Sequence, residues 1–311
     1  MKAKEKKNNQ LWKLKFQNYF GKPFLISALL VLSLIADAQN NSKVITISGS
    51  RIVHSLIEKW ASEYEKANPD ISVKLVKEGA PGDLTLTLNS DEKNEKKLIN
   101  VGAISVLPVV SEKNPIFDKQ VRNGVTKEEI KKIFLGNEAN QSEEQKISPE
   151  TYTIYTQSAQ SATTKVLLGY LGESVPEISG VIVTGDDKYL IESVLNDSTG
   201  VTYGNLGQVY DLINRSPLKG IRIIPIDPDN SGKLKKEEQI FGNLDQLISF
   251  LENTRPKTIP TSYLRLSINK RETNSLATDF ANWVKISGQQ FNHQYGFLKN
   301  NEEKDPALTQ K

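Results

Sequence analysis

Strand-like and helix-like segments alternate along nearly all of the chain after Val44, and that alternation restricts it to an α/β fold. Val44–Ser48 is β-branched and reads as a strand, and Ile52–Glu65 carries Leu56, Ile57, Trp60 and Tyr64 on one helical face, ending near Asn68 and Pro69. Strands follow at Ile71–Val76 and Asp83–Leu88, and the unbroken apolar run Ile99–Val110 predicts a strand buried on both faces. Thr126 and Glu129 form a capping box for a helix that carries Ile130, Ile133 and Phe134 and stops at Gly136. Tyr152–Tyr155 is a strand feeding a helix that begins near Ser161, and further strands are expected at Val181–Thr184, Gly200–Tyr203, Ile221–Ile226 and Tyr263–Ile268. Leu276, Phe280, Trp283 and Val284 mark a last helix over Ser275–Ile286, with Trp60 and Trp283 read as core. No internal repeat occurs, and the main polar interruption is Asn137–Lys146.

The ends of the chain carry address and charge. Seven lysines precede Pro23, the thirteen residues Phe24–Ala36 are apolar and uncharged, and Ala36-Asp37-Ala38 supplies a small-x-small pattern. That apolar run falls short of the roughly twenty residues of a membrane span, so residues 1–38 are expected to be a secretory signal peptide cleaved after Ala38, with an uncleaved anchor as the alternative. The segment holds a net charge of +5 out of the +3 of the whole chain, which leaves the remainder near −2 and gives no reason to expect nucleic acid as a partner. There is no cysteine, hence no disulfide framework and no lipidated cysteine, and with only two histidines, His54 and His293, a zinc site is not expected. The polar, aperiodic residues 299–311 are expected to be a disordered tail.

One run names an ion. Asp227, Asp229 and Ser231 stand at positions 1, 3 and 5 of a twelve-residue calcium loop, the Lys233 carbonyl at 7 and Glu238 at 12, with Gly232 at the turning position 6 and Leu234 as the apolar anchor at 8. The entering segment Ile221–Ile226 contains Pro225 and reads as a strand end, whereas Glu237–Leu251 reads as the exiting helix. An Asp- and Gly-rich turn that binds nothing is the alternative. Lys233, Lys235 and Lys236 lower the expected affinity, so a structural Ca2+ is expected where calcium is millimolar, outside the cytoplasm.

The order of segments, with Ile47–Ser50 before a helix containing Glu58–Trp60, Asp83-Leu84, Val125–Gly136, Ser161–Thr163, Gly200–Leu206, Phe280–Trp283, Gly288-Gln289 and Tyr295–Phe297, resembles the phosphate-binding proteins of bacterial ABC importers. These are a branch of the type II periplasmic binding proteins. The resemblance implies a two-lobed periplasmic-binding-protein-like fold with two crossover strands and an anion in the interlobe cleft. Lobe 1 is then residues 39–112 and 264–298, and lobe 2 residues 113–263 with the calcium loop 227–238.

On that pattern the ligand-binding residues are Gly49, Ser50, Arg51, Asp83, Gln157, Ser161 and Thr163. Backbone N–H groups after Gly49-Ser50 and at Ser161–Thr163 face an oxyanion at helix N-termini, and Asp83 accepts a proton-bearing oxygen, which a sulfate lacks. The sequence departs from the family where Gln157 replaces an arginine and Ala162 a glycine, and Arg51 is the cation available to substitute. The expectation is an extracytoplasmic, monomeric, non-enzymatic solute-binding protein for a small oxyanion such as phosphate, serving an ABC permease. There is no Gly-x-Ser-x-Gly elbow for a hydrolase. A secreted interaction or sensory domain with a non-functional anion site is the alternative.

Overall fold

The computed structural model describes residues 43–88, 96–135, 152–172, 178–269 and 275–300. The signal peptide, the Gly136 helix stop, the Asn137–Lys146 stretch and the tail after Asn300 lie outside the described residues. Two compact units are distinguished. Of the described residues the smaller takes 43–44 and 68–72, within which the Lys43 amide donates to the Asp70 carbonyl (3.0 Å). The larger takes the described residues of 45–67 and 73–300.

The strands are β1 (Lys43–Gly49), β2 (Ile71–Val76), β3 (Leu84–Leu88), β4 (Lys96–Ser111), β5 (Thr153–Thr156), β6 (Val181–Ile182), β7 (Gly200–Asn205), β8 (Ile221–Ile223) and β9 (Thr261–Asn269). They run in the order β2-β1-β3-β9-β4-β7-β5-β6, with β8 on β4. The sixteen-residue β4 belongs to both halves of this sheet: Lys96–Ser105 pairs with β9, whereas Val106–Ser111 pairs with β7 and β8. β4 is thus the strand that ties the halves together. Val101 to Val110 is buried at every position save none, which explains an apolar run without alternation. The β4 ladder slips between Asn100 and Gly102, where Gly102 has φ +157° and a Cβ would stand 2.5 Å from Asn292 Nδ2, so only glycine fits.

The helices are α1 (His54–Ala67), entered through a 3-10 turn at Arg51–Val53, α2 (Asp118–Asn123), α3 (Lys127–Leu135), α4 (Ala162–Leu171), α5 (Lys188–Asn196), α6 (Leu206–Val209), α7 (Leu244–Thr254) and α8 (Ser275–Ile286). The Thr126 and Glu129 capping box forms as expected, with the Thr126 amide on Glu129 Oε2 at 2.8 Å and the Glu129 amide on Thr126 Oγ1 at 3.3 Å. Trp60 is fully buried and donates to the Gly288 carbonyl at 2.9 Å, while Trp283 is half-buried and lies edge-on to Tyr64.

Three local expectations are corrected. The α5 helix lies where none was expected; Tyr189 and Leu195 are exposed beside buried Leu190, Ile191 and Val194, so apolar residues surround it and blur its period. The helix after the calcium-type loop starts at Leu244, not Glu237, because Asn243 caps it by accepting from the Asp245 and Gln246 amides, leaving only a 3-10 turn at Lys236–Glu238. The strand at Ile221 ends at Ile223, ahead of Pro225, which has no N–H to donate.

Candidate functional site

A cavity of 360 Å3 opens where the C-terminal end of β1 faces the β5–α4 and β6–α5 junctions. From the turn between β1 and α1 come Ser50, Arg51 and Ile52, and from beyond β2 comes Glu78. The opposite wall is Gln157, Ser158, Gln160, Ser161 and Ala162, and Ile182 to Asp187 close the side. Two helix starts therefore meet one space: the turn that opens α1 and the first turn of α4. Ser161 is the N-cap of α4, its hydroxyl accepting from the Thr164 amide at 3.4 Å. The Ala162 and Thr163 amides precede the first intrahelical bond, which runs from Lys165 N–H to the Ser161 carbonyl. Ser50 is extended and makes no capping bond with its side chain.

Of the expected ligand-binding residues, Ser50, Arg51, Gln157 and Ser161 line this cavity. Gly49 does not: it is buried behind the wall, where a Cβ would come within 3.0 Å of Val53 and 3.1 Å of Ile57, so its role is to let α1 pack on β1. Thr163 is fully buried, does not itself line the cavity, and donates its hydroxyl to Asp187, which does. Asp83 is also displaced from the site. The parallel register pairs Ile47 with Leu84, which sets Asp83 beside Thr46, and its carboxylate takes the Thr46 amide and hydroxyl.

Gln157 is held rigidly. Its amide donates to the Tyr203 hydroxyl (3.3 Å) and its Nε2 to the Gly185 carbonyl (3.4 Å), while Oε1 is buried without a partner. The Tyr203 hydroxyl also joins Thr156 Oγ1 (2.8 Å) and Thr164 Oγ1 (2.6 Å), tying β5, α4 and β7 together behind the wall. Burial pushes the Tyr203 phenol up from its ordinary pKa of 10.0, so it stays a neutral hydrogen-bonding hub.

The cavity's charges were only partly legible in the sequence. Arg51 is its one cation, and Asp186 faces it at 3.9 Å, with side chains 68% and 38% exposed. Glu78 and Asp187 add two further carboxylates. Asp186 and Asp187 were missed because their helix α5 was missed; a Gly-Asp-Asp turn before a Tyr-Leu-Ile run was the available signal.

The calcium-type loop folds on itself around Asp227. Asp227 Oδ2 accepts from the Gly232 (2.5 Å) and Lys233 (3.3 Å) amides, and Ser231 Oγ donates to the Lys233 carbonyl at 3.1 Å. Gly232 takes φ +85°, which the turn demands. One carboxylate oxygen each from Asp227, Asp229 and Glu238 lie within 4.8 Å of one another, and Asp227 and Glu238 are buried. Lys235 donates to Asp229 and stands 3.9 Å from Glu238, so the ammonium holds the position where positive charge is wanted. Its hydrogen bond holds the Asp229 carboxyl well below the usual carboxylate range. Leu234 anchors the loop, its amide donating to the Asn123 carbonyl at 2.9 Å.

The architecture is a mixed α/β fold in which the long strand β4 is shared by the two halves of the sheet. The chain belongs to the PBP superfamily domain family, which matches residues 36–285. Its fold is similar to an ABC-type phosphate transport receptor from Vibrio cholerae (TM-score 0.59, 14% identity, 82% of this chain and 100% of that one). It is likewise similar to PstS from Borrelia burgdorferi (TM-score 0.50, 16% identity, 83% and 98%). No curated protein matches the sequence. At these identities the likeness is one of fold. Among the described residues, no helix is long and apolar enough to cross a membrane.

Proposed function

We propose that this protein is an extracytoplasmic solute-binding protein that takes a small oxyanion group, phosphate being the reference case, into the cavity between lobe 1 (39–112 and 264–298) and lobe 2 (113–263). The observation that carries the reading is the convergence of two helix starts, at Ser50–Ile52 and at Ser161-Ala162, on one cavity with Arg51 at its edge. Helix-terminal N–H groups and a guanidinium are what an oxyanion needs. The carboxylate that would accept a proton-bearing oxygen is assigned to Asp186 or Asp187 and no longer to Asp83, because those two line the cavity. The proposal includes a monomer without catalytic activity, exported behind the segment 1–38 and delivering its solute to an ABC permease. The relatives in fold, a phosphate transport receptor among them, support that role. The polar lining disfavours the interaction-domain alternative, which called for an apolar, blocked cleft.

A structural Ca2+ is part of the same proposal, held by Asp227, Asp229, Ser231, the Lys233 carbonyl and Glu238. The approach of three carboxylates within 4.8 Å supports it. Calorimetry on the protein without residues 1–38 tests the solute reading. Heat on titration with a phosphate-bearing compound is expected, and no heat with inorganic phosphate, phosphate esters or sulfate at millimolar concentration removes the oxyanion.

A further inference from the structure

The walls of the cavity carry more negative charge than a bare polyanion tolerates. Three carboxylates, Glu78, Asp186 and Asp187, stand against the single guanidinium of Arg51, and one of the three already faces that guanidinium at 3.9 Å. The negative charge is built in and not incidental: Asp187 is buried at the start of α5, where the helix N-terminus favours an anion, and it receives the Thr163 hydroxyl. The three carboxylates want a positive hydrogen-bond donor. The helix starts at Ser50–Ile52 and Ser161-Ala162 want the opposite. The cavity, at 360 Å3, has room for a solute larger than one tetrahedral oxyanion and lies in the range of small-molecule sites.

We infer that the solute of this cavity is a small zwitterion, a phosphate or phosphonate head joined by a short linker to an ammonium group, with the head at the two helix starts and Arg51 and the ammonium against Glu78 and Asp186. The inference rests on the oxyanion reading above and narrows it from a free anion to an anion that carries its own counter-charge. The carboxylates then favour a solute that carries its own ammonium, and inorganic phosphate, glycerol phosphate and sulfate are all rejected by them.

Calorimetry with four probes tests it: phosphoethanolamine, glycerol phosphate, inorganic phosphate and ethanolamine. The first two present the same ester head and differ in a positive against a neutral donor group. Phosphoethanolamine is expected to bind at least tenfold more tightly than each of the other three. Glu78→Gln and Asp186→Asn, both at solvent-accessible positions, are expected to weaken phosphoethanolamine while tightening inorganic phosphate, two changes of opposite sign that misfolding cannot produce. Equal affinity for the two esters, or a preference that survives both substitutions, overturns the zwitterion and leaves the oxyanion reading in place. Ethanolamine binding as tightly as its phosphate ester, or no binding by any phosphate-bearing probe, removes the oxyanion reading and the zwitterion with it.

Discussion

Asp83 and Thr46 are joined by three hydrogen bonds: Asp83 Oδ2 accepts the Thr46 amide (2.7 Å) and hydroxyl (2.8 Å), and the Asp83 amide donates to that hydroxyl (3.0 Å). The carboxylate thus works as a clamp between neighbouring parallel strands, β1 and β3, and not as a ligand for a solute. Asp83→Ala leaves the Thr46 amide without its acceptor and is expected to lower stability by about 1–3 kcal/mol. Solute affinity, measured by calorimetry on the folded variant, stays unchanged. A variant of normal melting temperature that no longer binds would return Asp83 to the site.

Tyr203→Phe tests the wall from behind. The phenol is fully buried and serves the hydroxyls of Thr156 and Thr164 and the amide of Gln157, all of which lose a partner at once. A loss of about 1–3 kcal/mol is expected from urea denaturation. Because the Gln157 amide is one of the three, solute binding weakens as well, although Tyr203 does not line the cavity. Unchanged binding in the folded variant would show that Gln157 holds its place without the tyrosine.

The frame was readable in the sequence because its signals are local and periodic. The Thr126 and Glu129 box, the α1 stripe of Leu56, Ile57, Trp60 and Tyr64, and the unbroken β4 run each name their element within a few residues. The site was half readable for a physical reason. Ser161 at a helix start is a local pattern, whereas the direction in which Thr163 turns its hydroxyl depends on Asp187, twenty-four positions away on a helix whose own stripe is blurred. Asp83 and Thr46 are thirty-seven apart, and only the β1–β3 register brings them together.

Lys235→Ala is expected to tighten calcium binding. The ammonium donates to Asp229 and lies 3.9 Å from Glu238, so an incoming ion must first displace it. Millimolar calcium is expected to raise the melting temperature of the wild type by linkage, more in Lys235→Ala, and not at all in the Asp227→Ala, Glu238→Ala double variant. A wild type and a Lys235→Ala variant that both ignore calcium would leave the loop a lysine-bridged turn.

The same pair sets a pH window in the absence of calcium. The Asp229 carboxyl lies below its ordinary 3.8 in the fold through the hydrogen bond from Lys235, so its contribution is present above that value and fades as pH falls through the lower folded one. The Lys235 ammonium is raised from 10.5 by Asp229, so its contribution is present below that value and fades as pH rises through the higher folded one. The stability difference between wild type and Lys235→Ala is therefore expected to stay flat between about pH 5 and pH 9 and to shrink on both sides. Chemical denaturation at a series of pH values reads it, and a difference that grows in acid would refute the assignment.

Arg51→Gln separates binding from folding at the mouth of the cavity. The guanidinium side chain is 68% exposed and its one ion pair, with Asp186, is long at 3.9 Å. A surface change of this kind alters stability by no more than about 0.5 kcal/mol. A charge-assisted bond to an anionic head is worth about 1.5–3 kcal/mol, which is roughly ten- to a hundredfold in Kd. The substitution is accordingly expected to leave the melting temperature in place and to weaken every phosphate-bearing probe by that factor. Raising the ionic strength narrows the gap between wild type and variant, because an exposed charge is screened within about 10 Å at 0.1 M salt. Asp186→Asn made together with Arg51→Gln supplies the remaining leg of a double-mutant cycle: once the arginine is gone, removing its carboxylate partner still relieves repulsion of inorganic phosphate, and the relief measured there is the part of the cavity's selectivity that Asp186 exerts on the solute directly and not through Arg51.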